Sequence, residues 1–250
     1  MRTALAAVPE PRGGGECRLD VPPPGIVDVW WCDIARAGRR IPLWEKSLDA
    51  EERERASRFH FAGDRDRFVA CRGALRELAG RYLERDASSV EISRDLLGKP
   101  YFPGADLRFN VSKTKGGAIL AFTAETDVGV DVERVREDFR GDEIAGRFLA
   151  FDEKASLASL PERIRSKAFY RCWTAKEAYL KGRGDGLGFP LDGFSVSFSE
   201  DAPQRLRSHR DAGEIARWWL VPMTPAEGFV ACLAVAGDRP TLRFREVAAS

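Results

Sequence analysis

The sequence predicts an α+β fold of two halves, in each of which helices are followed by strands. The clearest helix covers residues 64–84, where apolar side chains recur at helical spacing and form a single stripe. A second long helix is predicted over residues 163–181, and short segments of strand-forming residues come after each long helix. This repeated order of elements favours two halves of about 110 residues that meet near residues 126–129.

The elements follow from the residues in chain order. Residues 1–24 are rich in proline, glycine and alanine without any period, which predicts a flexible N-terminal tail. Residues 26–34 are β-branched and aromatic and predict the first strand. Asp49 and Glu52 are typical of a helix start at which each side chain caps the other's backbone. The N-terminal half occupies residues 25–126, with further strands at 90–93, 107–112 and 118–124. The C-terminal half occupies residues 127–250, with helices at 142–149 and 152–160 and strands at 128–135, 194–199, 215–221, 229–236 and 241–247.

The amino-acid composition limits the partners and the catalytic groups that the chain can use. Lys plus Arg number 40 and Asp plus Glu 39, and a net charge of +1 argues against nucleic acid or a membrane surface as the main partner. No apolar run approaches the ~20 residues of a membrane span. Five widely spaced cysteines without a C-x-x-C pair indicate reduced thiols in a cytoplasmic protein. Since the chain has only two histidines, the chemistry is expected to rest on carboxylates, lysines and arginines.

Two acidic residues share one face of a predicted strand. In the segment V-G-V-D-V-E, Asp131 and Glu133 lie on the face opposite to Val130 and Val132 because side chains alternate along a strand. Their Cα atoms are about 7 Å apart, so both carboxylates can reach one cation. Oxygen ligands suit a hard ion such as Mg²⁺. Taken alone, the pattern favours a solvent-exposed strand face whose acids pair with Arg134 or Arg136, because D-x-E on a strand is a weak signal.

A second group of polar residues lies on the second long helix. Trp173, Glu177 and Lys181 follow one another at spacings of four residues and form a row on one face. An ordinary surface Glu–Lys pair would stabilise the helix by only a few tenths of a kcal/mol. The aromatic and apolar residues around this row favour a partly desolvated carboxylate instead, and such a group needs a cation.

Basic residues and a hydroxyl occur at two predicted strand ends. Lys99 lies in G-K-P, and Ser112 and Lys113 lie in F-N-V-S-K-T-K, where they could hold phosphate oxygens. Each motif by itself favours scattered surface lysines, and only their occurrence together with the acidic motifs favours a phosphate site. The glycine-rich segment 182–188 follows a helix and lacks dinucleotide-binding spacing, which predicts a helix end and a loop.

Together these motifs resemble the 4′-phosphopantetheinyl transferase superfamily, in particular the longer, two-halved type that activates peptide and polyketide synthases. The resemblance covers about residues 49–236. Its anchors are G-V-D-V-E at 129–133, W-T-A-K-E-A-Y-L-K-G at 173–182, G-K-P at 98–100, F-N-V-S at 109–112, and Arg58-Phe59 with Asp64 and Arg67. These short motifs occur in one order along the chain, which makes the joint pattern specific.

The resemblance implies two pseudo-symmetric α+β halves with the active site in the cleft between them. The implied reaction transfers 4′-phosphopantetheine from coenzyme A to a serine hydroxyl of an acyl or peptidyl carrier protein, requires Mg²⁺ and releases 3′,5′-ADP. Two fused halves would make a monomer sufficient. Carrier proteins of this kind are typically acidic, so a basic and apolar patch near the cleft is expected to dock them.

The resemblance also implies roles for individual residues. The implied Mg²⁺ ligands are Asp131, Glu133 and Glu177. The groups implied to hold the nucleotide and its phosphates are Arg55, Arg67, Lys99, Ser112, Lys113, Lys176 and Lys181. The base that accepts the serine proton is Glu177 or Glu153, directly or through a water, and Lys181 would stabilise the departing 3′,5′-ADP.

Two positions depart from the family pattern. Lys113 stands where the family usually has histidine. A lysine still offers a cation to a phosphate, but unlike histidine it does not titrate near neutral pH. Glu52 stands where a basic residue is often found. These departures motivate an alternative, a member that binds coenzyme A or a carrier protein without turnover. A second alternative is a different Mg²⁺-dependent enzyme that cleaves a pyrophosphate without any carrier.

Overall fold

The structure is a computed structural model that describes residues 18–136, 142–184 and 188–248, without the side chains of residues 142–144. Most of the predicted N-terminal tail and part of the predicted 182–188 loop therefore lie outside the described residues. The chain divides into two compact units. Within the described ranges, unit 1 contains residues 18–93, 100–125 and 241–248, and unit 2 contains residues 94–99, 126–136, 142–184 and 188–240.

Both units combine helices with strands, which confirms the predicted α+β class. The strands are β1 (Ile26–Asp33), β2 (Ser93–Arg94), β3 (Pro100–Tyr101), β4 (Leu107–Thr114), β5 (Gly117–Ala124), β6 (Val128–Arg134), β7 (Ser195–Val196), β8 (Leu206–Ser208), β9 (Trp218–Met223), β10 (Phe229–Ala236) and β11 (Thr241–Glu246). The helices are α1 (Ile41–Ser47), α2 (Ala50–Ser57), α3 (Ala62–Leu83), α4 (Asp142–Phe148), α5 (Phe151–Ala158), α6 (Glu162–Arg183) and α7 (Ala212–Arg217). No helix in the described part is both long and apolar enough to cross a membrane.

Unit 1 is built on a four-stranded sheet in the order β11-β1-β5-β4, and the apolar stripe of α3 forms part of its core. The last strand, which the sequence places in the C-terminal half, pairs in parallel with β1. An ion pair reinforces this pairing: Arg243 donates from Nε to Asp28 Oδ1 at 2.5 Å and from Nη2 to Asp28 Oδ2 at 3.0 Å. Asp28 is fully buried, so it needs this guanidinium, and sequence patterns do not reveal such a distant partner.

The predicted capping pair at the start of α2 is confirmed, and Glu52 has a further structural role. Glu52 N donates to Asp49 Oδ1 at 2.8 Å, and Asp49 N donates to Glu52 Oε2 at 3.2 Å. Glu52 also accepts from two arginines of α3, Arg72 at 2.5 Å and the buried Arg76 at 2.6 Å. The acidic residue that departs from the family pattern is therefore the partner of a buried guanidinium, which would be destabilising without it.

Unit 2 is built on the antiparallel sheet β6-β10-β9, against which α6 packs. The predicted strands at 128–135 and 229–236 are confirmed as β6 and β10. The prediction of one strand over 215–221 is wrong in its first part, because α7 extends to Arg217 and β9 begins at Trp218. Glu214 in α7 accepts from Tyr179 Oη at 2.7 Å and from Trp218 Nε1 at 3.0 Å. The bond from Tyr179, 35 positions away, is a tertiary contact that stabilises the segment as a helix.

Two other predicted strands are shorter than expected. The predicted strand at 194–199 contains only the two residues of β7, and a 3-10 turn occupies Leu191–Gly193 just before it. The predicted strand at 90–93 overlaps β2 only at Ser93. Apolar and polar residues alternate in both segments as they do in a strand, so single-sequence patterns do not distinguish these segments from longer strands.

Candidate active site

At the candidate site in unit 2, the strand β6 and the helix α6 approach each other unusually closely. A Cβ atom placed on Gly129 in β6 would lie 2.0 Å from the Ala178 carbonyl oxygen and 2.2 Å from the Gly182 nitrogen, both in α6. Only glycine leaves room for this approach. The motifs G-V-D-V-E and W-T-A-K-E-A-Y-L-K-G therefore meet backbone to backbone, and side chains near these two glycines can reach each other.

An ion pair joins the two motifs at this crossing. Lys181 Nζ in α6 donates to Asp131 Oδ1 in β6 at 2.5 Å. Asp131 is 4% exposed, whereas the side chain of Lys181 is 31% exposed. A buried carboxylate with a partly exposed ammonium beside it can bind an additional charged group from solvent.

Glu177 is electrostatically coupled to this pair from one turn earlier on α6. Burial raises the pKa of its carboxyl above the usual range, the Asp131 carboxylate raises it further, and Lys181 acts in the opposite direction. Since two carboxylates of like charge disfavour each other's ionised form, a cation near both would relieve the repulsion. The three side chains Asp131, Glu177 and Lys181 thus form one cluster, whereas the predicted metal set of Asp131, Glu133 and Glu177 stays a prediction.

The donor atoms of this cluster suit a hard cation. Glu133 is half-buried on β6, two residues after Asp131 and on the same face. Cys232 is directly opposite Asp131 in the sheet, but burial and the Asp131 charge both raise the pKa of its thiol, so it stays protonated. Only oxygen ligands are therefore offered, which fits Mg²⁺. No ready-formed group of three His, Cys, Asp or Glu ligands is found within residues 18–136, 142–184 and 188–248, so the three-carboxylate set remains a prediction.

The structure gives Glu153 and Lys176 structural positions, which corrects their predicted roles. Lys176 is 0% exposed, and its Nζ donates to Glu153 Oε2 and to the Phe194 carbonyl oxygen, both at 2.6 Å. Glu153 is 1% exposed, and it also accepts from the backbone N–H groups of Ala150 at 2.8 Å and Val196 at 2.7 Å. An ammonium enclosed in this way does not reach a nucleotide, and a carboxylate with these three donors is poorly placed to take a serine proton.

Lys99 binds the C-terminal end of α6. Its Nζ donates to the Gly182 carbonyl oxygen at 2.5 Å and lies 3.4 Å from Asp127 Oδ1. A cation at a helix C-terminus is favourable because the last carbonyl groups carry partial negative charge. Lys99 is therefore bonded to the residue that follows Lys181 in the chain. The contact of Lys99 with a phosphate remains a prediction.

The other predicted nucleotide contacts lie in unit 1. Arg55 is exposed on α2 and packs its guanidinium over the Phe68 ring at 5.3 Å. Arg67 Nη2 donates to Asp64 Oδ1 at 2.6 Å, within the first turns of α3. Ser112 is buried on β4, and Lys113 next to it is exposed. Their predicted contacts with coenzyme A remain predictions.

Two family models match adjoining parts of the chain. One, the 4′-phosphopantetheinyl transferase superfamily, matches residues 127–234, and the other, 4′-phosphopantetheinyl transferase, N-terminal, matches residues 40–126. The 4′-phosphopantetheinyl transferase HetI of Nostoc sp. is 32% identical over 215 residues, which are 84% of this chain and 88% of that protein. This chain belongs to the 4′-phosphopantetheinyl transferase superfamily.

Further relatives agree with this membership. The 4′-phosphopantetheinyl transferase Sfp of Bacillus subtilis is 32% identical over 155 residues, which cover 62% of this transferase and 68% of that protein. Among solved structures, the holo-[acyl-carrier-protein] synthase of Thermotoga maritima is 26% identical and covers 45% of this chain and 64% of that chain, with a TM-score of 0.36. All of the candidate residues lie within residues 40–234, which the two family models span together.

The structural role of Gly129 and Gly182 was missed in the sequence analysis of this phosphopantetheinyl transferase. The available signal was a glycine inside a predicted strand, which often marks a close approach of another backbone. The sequence does not show which backbone approaches, because that depends on the packing of α6.

Replacing Gly129 by alanine is expected to destabilise the phosphopantetheinyl transferase by about 2 kcal/mol or more, because β6 and α6 must separate to admit the methyl group. Chemical denaturation would measure the loss. The matched control is Gly146→Ala in α4, where an added Cβ meets nothing within 4 Å, and this variant should be as stable as the wild type or slightly more stable. Equal stability of Gly129→Ala and wild type would contradict the close approach.

Proposed function

We propose that this transferase moves 4′-phosphopantetheine from coenzyme A to a serine hydroxyl of an acyl or peptidyl carrier protein and releases 3′,5′-ADP in an Mg²⁺-dependent reaction. The observation that carries the proposal is the cluster of Asp131, Glu177 and Lys181, in which a 2.5 Å ion pair lies beside a second carboxylate with a raised pKa. Membership in the superfamily supplies the reaction class.

The reaction requires charge neutralisation more than covalent chemistry. The serine oxygen attacks the phosphorus that carries pantetheine, and the bond from this phosphorus to the oxygen of the 3′,5′-ADP leaving group breaks. Mg²⁺, held by Asp131, Glu133 and Glu177, would neutralise charge on the pyrophosphate. Lys181 can turn from Asp131 towards the departing phosphate because its side chain is partly exposed, and there it would stabilise the negative charge that develops.

Of the two predicted bases, the contacts of Glu177 favour it for accepting the serine proton. Glu177 is half-buried, so one of its carboxylate oxygens could take the proton while the other binds the cation. Glu153 instead uses both oxygens in buried hydrogen bonds. The proton would pass to Glu177 directly or through one water.

Incubation of the full chain with coenzyme A, Mg²⁺ and an apo carrier protein is expected to add the mass of one phosphopantetheine group to the carrier. Mass spectrometry of the intact carrier measures the transfer. Chelation of divalent cations with EDTA should stop it, and added Mg²⁺ should restore it. Absence of transfer over a panel of fatty-acid, polyketide and peptide carrier proteins would count against the proposal.

The same experiment separates the alternatives. A member that binds without turnover would give heat of coenzyme A binding in calorimetry but no change in carrier mass. A pyrophosphate-cleaving enzyme of another kind would release 3′,5′-ADP without any carrier. The structure weakens one reason for considering an inactive member, because Glu52 is explained by its bonds to Arg72 and Arg76 rather than by a lost nucleotide contact.

A further inference from the structure

An exposed pair of leucines lies on a tight turn in unit 2. Neither leucine has a role in the reaction proposed above. Leu96 is fully exposed and Leu97 is 64% exposed, at the tip of the turn between β2 and β3. The central positions of such turns usually carry polar residues or glycine. Two adjacent leucines in water are a feature of surfaces that bind another molecule.

The turn is rigid, so its leucines are held ready for contact. Asp95 organises it: its Oδ1 accepts from Leu97 N and Lys99 N, both at 2.9 Å, and its carbonyl oxygen accepts from Gly98 N at 3.0 Å. Gly98 adopts a φ of 90°, which a residue with a side chain rarely adopts. A backbone that is already ordered loses little entropy on binding, and this favours affinity.

The turn is anchored next to the catalytic cluster. Lys99 Nζ is bonded to the Gly182 carbonyl oxygen at 2.5 Å, and the next residue along α6 towards its N-terminus, Lys181, pairs with Asp131. Leu97 precedes Lys99 by two residues, a chain distance of at most about 7 Å. The turn that carries the leucines is therefore attached to the end of the helix that carries Lys181.

We propose that the turn 94–99 is a docking surface for the carrier protein, an inference that rests on the proposed function. The phosphates of coenzyme A have no favourable contact with leucine side chains, and contact with its adenine ring or pantetheine arm would show as a changed KM for coenzyme A in the leucine variant. The second substrate is a protein that must bring its serine to the same cluster, and an apolar patch on its surface could cover the leucines. Arg94 is exposed next to the leucines, so an acidic residue at the edge of the partner's apolar patch would find an opposite charge there.

The test measures binding separately from catalysis. The probe is an apo acyl carrier protein whose acceptor serine is replaced by alanine, and its dissociation constant is measured by fluorescence anisotropy. Leu96→Ser with Leu97→Ser should weaken binding at least about tenfold, because the apolar contact is lost. Leu96→Asp should weaken binding more than Leu96→Lys, since the partner is acidic. The control Leu43→Ser, at a leucine of unit 1 that is 61% exposed, should bind as the wild type does.

Kinetics with an unmodified apo carrier complete the test. In the double leucine variant the KM for the carrier should rise at least about tenfold, while the KM for coenzyme A and the melting temperature should not change. Unchanged carrier affinity, or an equal loss in Leu43→Ser, would overturn the docking proposal even if the wild type transfers phosphopantetheine. Absence of transfer by the wild type together with normal, leucine-dependent carrier binding would instead overturn the proposed function and leave the docking surface supported.

Discussion

Replacing Asp131 by asparagine is expected to lower the turnover of phosphopantetheine transfer by at least about 100-fold while the chain stays folded. The reason is local: Asp131 is almost fully buried, receives the Lys181 ammonium at 2.5 Å and raises the pKa of the neighbouring Glu177. Asparagine keeps the size of the side chain but removes the charge that binds a cation. The initial rate of holo-carrier formation measures the effect.

A matched control and a second readout make this prediction specific. Asp152→Asn removes an exposed carboxylate of the same unit, on α5, and should transfer at the wild-type rate. Binding of Mn²⁺, followed by paramagnetic resonance in the absence of carrier, should weaken in Asp131→Asn and not in Asp152→Asn. A nearly normal rate or undiminished Mn²⁺ binding in Asp131→Asn would remove the basis for the metal assignment.

Replacing Lys176 by methionine is expected to destabilise the protein by about 3–5 kcal/mol. The ammonium of Lys176 is fully buried and bonded to Glu153 and to the Phe194 carbonyl oxygen, so its loss leaves a buried carboxylate without a counter-charge. The pair joins the start of α5, the middle of α6 and the strand β7, because Glu153 also accepts from Ala150 and Val196. Thermal and urea unfolding measure the loss.

Two further variants separate a structural role from a nucleotide contact. Combining Lys176→Met with Glu153→Gln removes both charges and should recover part of the stability. Lys167→Met removes an exposed lysine of the same helix, whose ion pair with Glu200 is on the surface, and should have little effect. If Lys176→Met instead raised the KM for coenzyme A without lowering the melting temperature, the role implied by the family resemblance would be correct.

Much of the fold could be predicted from local patterns. The stripe of α3, the alternation in β6 and the Asp49–Glu52 cap depend on neighbours within a few residues, and the structure confirms all three. The parallel pairing of β11 with β1 could not be predicted in this way, because it joins residues more than 200 positions apart through Asp28 and Arg243. The same applies to α7, whose Glu214 accepts a hydrogen bond from Tyr179, 35 positions away in the chain.

The candidate site, too, could be predicted only in part from the sequence. The row on α6 and the acidic face of β6 could be read from side-chain spacing, and their combination pointed to one cation-binding cluster. Spacing could not distinguish Lys176 from Lys181, five residues apart on the same helix. The first is enclosed with Glu153, and the second is partly exposed beside Asp131, because α6 presents opposite faces to the core of unit 2 and to the site.

By itself, the sequence determined the α+β class, the long helices, the family and the residue types available for chemistry, since these depend on short-range periodicity and motif order. Only the tertiary structure decided which charged groups are enclosed, which remain accessible, and where the two motif glycines bring strand and helix together. The physical reason is that burial and ion pairing depend on residues far apart in the chain. Both the pKa of Glu177 and the orientation of Lys181 follow from such neighbours.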